Sequence, residues 1–447
     1  MQRFHFISIG GAVMHNMALD MQKKGYIITG SDDDIFEPAK SRLQKAGLLP
    51  EKFGWFEEHI TTDLDGIILG MHARADNPEL LKAKSLNIPV YSFPEFIYKE
   101  SINKQRIVIG GSHGKTTSTA MLMHIYKTLG RDFDYMVGSQ IDGFDTMVKL
   151  TDSAKEIILE GDEYLTSALN PVPKFHIYKP HLAMLTGIAW DHINVFPTFD
   201  IYVQQFDIFL SHLPNGATLA YFKHDEHLAA LAQKYTNLNL QPYDTHPHLI
   251  ENGQTYLLVN DKKIAVHIFG EHNLQNLSGV KILANEQGIS DDDFYMAVSS
   301  FTGTARRLEK IYEKEDYVVY RDFAHSPSKV LATTEAVKKQ FTNRTLIACV
   351  ELHTYSSLNK EFLSEYKGVL DTADIKVVFF NQHTFEIKKM SPLTDEDIYS
   401  FFGNDTLILH DAKSLEAYIQ SKPHQQTCLL LMSSGSFDGL DLEGLKR

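Results

Sequence analysis

Cysteine is nearly absent: two residues in 447, Cys349 and Cys428, far apart in apolar runs. Two buried thiols are therefore expected, in preference to a disulfide or a cysteine metal pair. No run of about 18 apolar residues exists, so no membrane span is expected. Net positive charge is also missing. The formal charge is −14, which argues against nonspecific nucleic-acid binding, although a loop with a few cations can still hold a small phosphate. The start, "MQRFHFISIGGAVMHNMALDMQKKG", lacks the basic head and unbroken apolar core of a secretion signal, so a cytoplasmic location is expected. Low-complexity tracts are absent, and 43% hydrophobic with 22% charged residues describes a globular chain of two to four domains.

What is present is alternation. Strand-like runs ("RFHFISIG", "YIITGSD", "GIILG", "RIVIGG", "EIILEGDE", "RTLIACVEL", "TCLLLMSSG") alternate with helical patterns, which implies α/β architecture with parallel sheets. Three domains are expected: a Rossmann-like unit over 1–104, a central P-loop ATPase-type α/β unit over 105–307, and a second Rossmann-like unit over 308–447. The polar "KESINKQ" at 99–105 reads as a linker, and Asn260-Asp261 between two strand-like runs reads as a hairpin turn.

One stretch bears chemistry most clearly. "IVIGGSHGKTTST" (107–119) runs a strand into glycines and then into Lys115-Thr116-Thr117. Small residues let backbone N–H groups converge on an anion, the helix start adds its dipole, Lys115 can reach the β/γ-phosphates and Thr116 can ligate Mg²⁺. The usual phosphate loop has a glycine five places before Gly114, where Ile109 stands, so the loop is short. The bland alternative is an ordinary strand–turn–helix junction.

Other stretches are weaker alone. "EGDE" (160–163) puts Glu160, Asp162 and Glu163 at a strand's carboxyl end, where ligands bind in open α/β sheets, although such clusters are often solvated loops. Asp191-His192 ends another strand; a structural histidine explains it equally well. "GEHNLQN" carries His272, Asn273 and Asn276 at a helix start, where amides can hold a nucleotide or merely cap. Arg306 and Arg307 suit phosphate clamping or are plain surface charge. Asp322 and His325 flank a strand-to-helix turn and could face a ribose or adenine. "ISIGGAVMHNMA" (7–18) is a glycine turn with Ser8 and Val13 where a full dinucleotide fingerprint has glycine, and Asp32 in "TGSDDD" could hold a ribose or uracil.

Taken in order, these motifs resemble the Mur ligase family. The shortened G-x-x-G-K-T is Gly111-Ser112-His113-Gly114-Lys115-Thr116; the acidic strand end, the Asp-His, the G-x-H-N-x-x-N and the arginine before the third domain follow as "EGDE", Asp191-His192, "GEHNLQN" and Arg307. The resemblance implies an ATP-dependent ligase that activates the lactyl carboxylate of UDP-N-acetylmuramate as an acyl phosphate, for attack by an amine. It implies catalytic Lys115, Glu160 and His192, and Mg²⁺ on Thr116, Glu160 and His192. ATP would lie on Gly111, Ser112, His113, Gly114, Lys115, Thr116, Thr117, Asn273, Asn276, Arg307, Asp322 and His325. The UDP substrate would lie on Gly10, Gly11, Ala12, Met14, Ser31, Asp32 and His72. The third domain would bind the incoming peptide.

Within the family, "DEYLTSALNPVPKFHIYKP" (162–180) resembles the peptide-ligase branch, which attaches L-alanyl-γ-D-glutamyl-meso-diaminopimelate during peptidoglycan recycling, more than the branch that adds alanine. There are departures. Gly187 and Ala189 stand where Asn and Glu are usual, Ser326 replaces the second histidine of His-His-Pro, and "ELHTYSS" (351–357) lacks an arginine. An alanine-adding ligase and a nucleotide-binding regulator without catalysis are the competing readings.

Overall fold

The computed structural model describes residues 1–167, 169–192, 195–422 and 425–445. The chain divides into two compact units, 1–244 with 278–297, and 245–277 with 298–447. Among the described residues no helix is long and apolar enough to cross a membrane.

The first unit opens with four parallel strands, β1 (Arg3–Ile7), β2 (Ile27–Ser31), β3 (Gly66–Leu69) and β4 (Val90–Ser92), in the order β2-β1-β3-β4. Helices α1 (Ala12–Lys23), α2 (Ala39–Ala46) and α3 (Pro78–Ser85) connect them, and α4 (Phe93–Glu100) follows β4. A Ser92/Glu95 capping box starts α4, which satisfies two of its orphan N–H groups. The linker that follows is held by Arg106, whose guanidinium donates to Ser101 O at 2.7 Å and Tyr178 O at 2.8 Å.

The larger sheet of the same unit comprises β5 (Gln105–Gly110), β6 (Asp134–Met136), β7 (Val148–Lys149), β8 (Glu156–Gly161), β9 (Leu182–Leu185), β10 (Thr218–Phe222) and β11 (Asn239–Tyr243). Its order is β11-β10-β9-β5-β8-β6-β7, parallel except for the β6–β7 pair. The apolar triplet Ile107-Val108-Ile109 is fully buried because β5 lies mid-sheet. That placement brings the carboxyl ends of β8 and β9 to either side of the glycine turn, with Ile109 opposite Glu160 and Gly110 opposite Leu185. Helices α5 (Lys115–Thr128), α6 (Lys174–Ile177), α7 (Phe199–Ser211) and α8 (Glu226–Ala232) belong to this layer.

The second unit contains the antiparallel sheet β12 (His248–Glu251), β13 (Gln254–Val259) and β14 (Lys262–Val266). Asn260 and Asp261 both have positive φ, 45° and 64°, as a two-residue hairpin turn requires. Helices α9 (Glu271–Glu286) and α10 (Asp291–Val298) follow in the chain; the boundary between the units falls inside α9, and α10 as far as Ala297 belongs to the first unit. The last sheet has β15 (Glu309–Lys314), β16 (Tyr317–Asp322), β17 (Thr345–Glu351), β18 (Ile375–Phe379), β19 (Leu407–Leu409) and β20 (Thr427–Met432), with order β15-β16-β20-β17-β18-β19. Only the β15–β16 hairpin is antiparallel, and α11 (Pro327–Gln340) connects β16 to β17. Cys349 and Cys428 sit on β17 and β20, buried and unbridged, with burial pushing both thiols up.

Candidate active site

The turn after β5 has the geometry that its glycines permit. Gly111 adopts φ +120° and Gly114 φ +79°, both in the region that favours glycine. A Cβ on Gly111 would lie 2.1 Å from Thr186 Oγ1 and 2.8 Å from Thr186 N. The turn is fastened to the end of β9: Thr186 N donates to Gly110 O (3.1 Å) and Ser112 N to Gly187 O (3.0 Å). Gly114 caps α5 without any side-chain hydrogen bond, which leaves the first-turn N–H groups for an anion.

Charge converges on this turn. Lys115 Nζ donates to Gly111 O at 2.8 Å and to Glu163 Oε2 at 2.6 Å. Thr116 Oγ1 donates to Glu160 Oε1 at 2.9 Å, and Gly138 N to Glu160 Oε2 at 2.8 Å. Lys174 Nζ pairs with Asp162 at 2.6 Å, and His192 Nε2 lies 3.5 Å from Glu163 Oε1. A chain of hydrogen bonds closes the group: Ala189 N to Ser112 Oγ (2.8 Å), Ser112 Oγ to Tyr202 OH (2.7 Å), Tyr202 OH to Glu163 Oε1 (3.2 Å).

The titration behaviour follows from burial and these partners. Burial would push Asp162 up, but Lys174 and Lys115 hold it down at about 2. Burial likewise opposes ionisation of Glu163, and Lys115 with His192 outweighs it. Burial would lower His192 and Lys115; their carboxylate neighbours raise both. Glu160 goes the other way. Its burial prevails over Gly138 N–H and Lys115, and its pKa is raised. Asp162, Glu163 and His192 offer ligand atoms within 4.8 Å of one another, and Glu160 stands beside Thr116. Carboxylate and hydroxyl oxygens suit Mg²⁺, so the donor set fits that ion.

Gly187, where the family pattern has Asn, has φ +143°, and Ile188 N donates to Asp225 Oδ2 at 2.5 Å. A side chain there would be strained, with its Cβ 3.1 Å from Asp225 Oδ2. Backbone geometry therefore accounts for the glycine.

A second concavity of about 970 Å³ lies at the carboxyl ends of the first sheet, lined by Gly10, Gly11, Ala12, Asp32 and His72 among others. Ser8 and Ile9 donate their N–H groups to Ser31 O (2.9 and 3.1 Å), and Gly10 N donates to Asp32 Oδ2 at 2.7 Å. A Cβ on Gly10 would meet that same oxygen at 2.9 Å, so a side chain there would push the Asp32 carboxylate aside. Burial pushes Asp32 up to about 6, against the Gly10 N–H that favours its charge. Met14 and Ser31 do not line the cavity. Met14 is 4% exposed and packs into the hydrophobic core, and Ser31 Oγ faces His5 Nε2 (3.3 Å) and His59 Nδ1 (3.4 Å).

In the second unit, Asn273 Nδ2 donates to Phe269 O at 2.9 Å, and both Asn273 and Asn276 are buried. Burial pushes His272 down to about 4. Asp322 gives both oxygens to backbone, accepting from Leu308 N and Ala324 N at 2.6 Å each, while each oxygen keeps a second acceptor site. The Arg307 guanidinium lies 5.1 Å from the Phe323 ring centre, and His325 Nδ1 donates to Phe323 O at 2.7 Å. Sequence reasoning assigned no role to Tyr202, Lys174, Gly138 or Thr186. Lys174 stands in the quoted 162–180 motif; Tyr202 has no signal beyond the apolar period of its helix.

Two family models match: the Mur ligase middle domain over residues 109–284, and the Mur ligase family catalytic domain over 3–103. The chain belongs to the Mur ligase family. As a Mur ligase it is an ATP-dependent, amide-forming enzyme. Among relatives, a UDP-N-acetylmuramate–L-alanine ligase of Sulfurihydrogenibium sp. is 26% identical, over 98% of this chain and 96% of that one. Among solved structures, a murein peptide ligase from Psychrobacter arcticus superposes with TM-score 0.66 at 22% identity, over 100% and 99% of the two chains. A UDP-N-acetylmuramate–alanine ligase from Thermotoga maritima gives 0.70 at 20%, over 97% and 96%. A MurF ligase from Thermotoga maritima, solved in complex with ADP, gives 0.59 at 15%, over 86% and 87%. These neighbours share the three-domain fold of this Mur ligase.

Proposed function

We propose that this Mur ligase joins L-alanyl-γ-D-glutamyl-meso-diaminopimelate to the lactyl carboxylate of UDP-N-acetylmuramate. ATP converts that carboxylate to an acyl phosphate with release of ADP. The peptide's α-amine attacks the acyl carbon, loses a proton, and inorganic phosphate leaves from the tetrahedral intermediate.

The residues support this chemistry. Phosphate oxygens fit the N–H groups of the 111–116 turn. Lys115 is charged and tethered to Gly111 O and Glu163, so its ammonium is preorganised beside the turn. Thr116, Glu160 and His192, with Asp162 and Glu163, would hold Mg²⁺, which when bound neutralises charge on the transferring phosphoryl group. The cavity at Gly10–Ala12 and the uncapped start of α1 suit the diphosphate of a sugar nucleotide.

One observation carries the peptide over alanine. In the segment that resembles the peptide-ligase branch, Leu165 bridges Pro173, and Lys174 at the start of α6 pairs with Asp162 inside the charged cluster. Alanine is the second reading, favoured by the names of the relatives at 26–29% identity.

The deciding experiment is phosphate release with ATP, UDP-N-acetylmuramate and one of alanine, the dipeptide, or tripeptides ending in lysine or diaminopimelate. Turnover is expected with the diaminopimelate tripeptide. Turnover with alanine alone would replace the peptide reading.

A further inference from the structure

The segment 137–147, between β6 and β7, touches both the phosphate turn and helix α1. Val137 N donates to Met147 O at 3.0 Å, which closes the segment on itself. One end reaches the phosphate turn through Gly138 N and Glu160 Oε2 (2.8 Å), and Glu160 in turn accepts from Thr116 Oγ1. A Cβ on Gly138 would lie 3.0–3.2 Å from the Glu160 carboxylate, so the backbone approaches that group as closely as glycine allows.

The other end is fastened to α1, the helix that opens at the cavity's glycine turn. β7 is the edge strand of its sheet, and the outward N–H groups of the residues flanking it need partners. Asn16 Oδ1 accepts from Met147 N (3.1 Å) and Asp20 Oδ2 from Leu150 N (2.6 Å). The four-residue spacing places both acceptors on one helix face. The Asn16 amide is fully committed: its Nδ2 donates to Ala12 O (2.8 Å) and to His15 Nε2 (3.0 Å), and His15 Nδ1 donates to Gly11 O (2.8 Å). This fixes the His15 tautomer and the amide's orientation together. Arg42 adds a third tether, donating to Gln140 Oε1 (3.4 Å) and Asp145 O (2.5 Å). Gln140, Asp145 and Met147 line the 970 Å³ cavity together with His15 and Asn16.

We propose that segment 137–147 is a strap that ties the sugar-nucleotide cavity to the phosphate turn, with Asn16 as the positioning residue that holds it. This rests on the reading of the cavity as the UDP-N-acetylmuramate site. Filling the cavity presses on the strap's Gln140–Met147 end, and the strap carries the constraint to Glu160. The two ligands must then bind with coupled affinities.

The test is calorimetric binding of UDP-N-acetylmuramate to the full chain, with and without saturating Mg²⁺-ADP. In the wild type, ADP is expected to change the sugar-nucleotide Kd by about fivefold or more. In Asn16→Ala the Kd is expected to weaken by about tenfold, since the Met147 N–H loses its acceptor, with the ADP Kd alone unchanged and the coupling lost. Arg42→Ala, at an exposed tether, is expected to reduce the coupling without unfolding the chain. No coupling in the wild type, or full coupling in both variants, would overturn the strap. Failure of the wild type to bind UDP-N-acetylmuramate would instead overturn the reading of the cavity.

Discussion

Gly111→Ala tests the phosphate turn at its tightest point. A side chain at φ +120° costs about 1–3 kcal/mol in backbone strain alone. Its Cβ would overlap Thr186 Oγ1 at 2.1 Å and Thr186 N at 2.8 Å; the first can rotate away, but the second is backbone. Relief requires the turn to part from β9, which breaks the Thr186 N–Gly110 O and Ser112 N–Gly187 O bonds, each worth about 1 kcal/mol net. The total is about 4 kcal/mol. Because the turn is local, the chain opens it rather than unfolding, and the loss falls on ligand binding. ATP binding, measured by calorimetry with Mg²⁺, is expected to weaken by about a hundredfold or more, which corresponds to about 2.7 kcal/mol. Adding Thr186→Ala removes the 2.1 Å contact but keeps the backbone one, so it is expected to recover only part of the loss. Gly111→Ala binding ATP within about threefold of wild type would refute the argument.

Lys115→Ala is expected to lower kcat by at least about a hundredfold, because it removes the cation beside the phosphate turn and leaves Glu163 buried without it; wild-type turnover in a phosphate-release assay would refute the assignment. Chelation of divalent metal is expected to stop turnover, and restored Mg²⁺ to revive it. Asp20 bears on pH. Burial raises its carboxyl to about 6 from 3.8, against the opposing Leu150 N–H. A raised folded-state pKa means its contribution is fully present below about 4 and lost as pH rises through about 6. Asp20→Asn is therefore expected to stabilise by up to about 3 kcal/mol at pH 8 and to give little gain at pH 4, read as the difference in melting temperature from wild type at each pH.

Much of the fold was legible because it is local. The alternation of strand and helix patterns, the Asn260-Asp261 hairpin and the helix opening at Lys115 are each set by a few consecutive residues. The short spacing of the phosphate turn was also visible, and with its ordered partners it marked the family. Gly187 stood out as a departure, and its φ of +143° supplies the backbone reason.

The rest required neighbours distant in sequence. Nothing local says that Lys115 pairs with Glu163 rather than Glu160, that Tyr202 links Ser112 to that carboxylate, or that Asp322 is taken up by backbone N–H groups. Nor does the glycine turn at 10–12 show that Met14 faces the core. The sequence by itself determined the chain's elements, its family and the residue types available for phosphate and metal chemistry, since these depend on composition, order and short spacing. Tertiary structure decided the partnerships. A parallel sheet with β5 between β8 and β9 sets three strand ends side by side, and which charges then meet is a matter of register and burial.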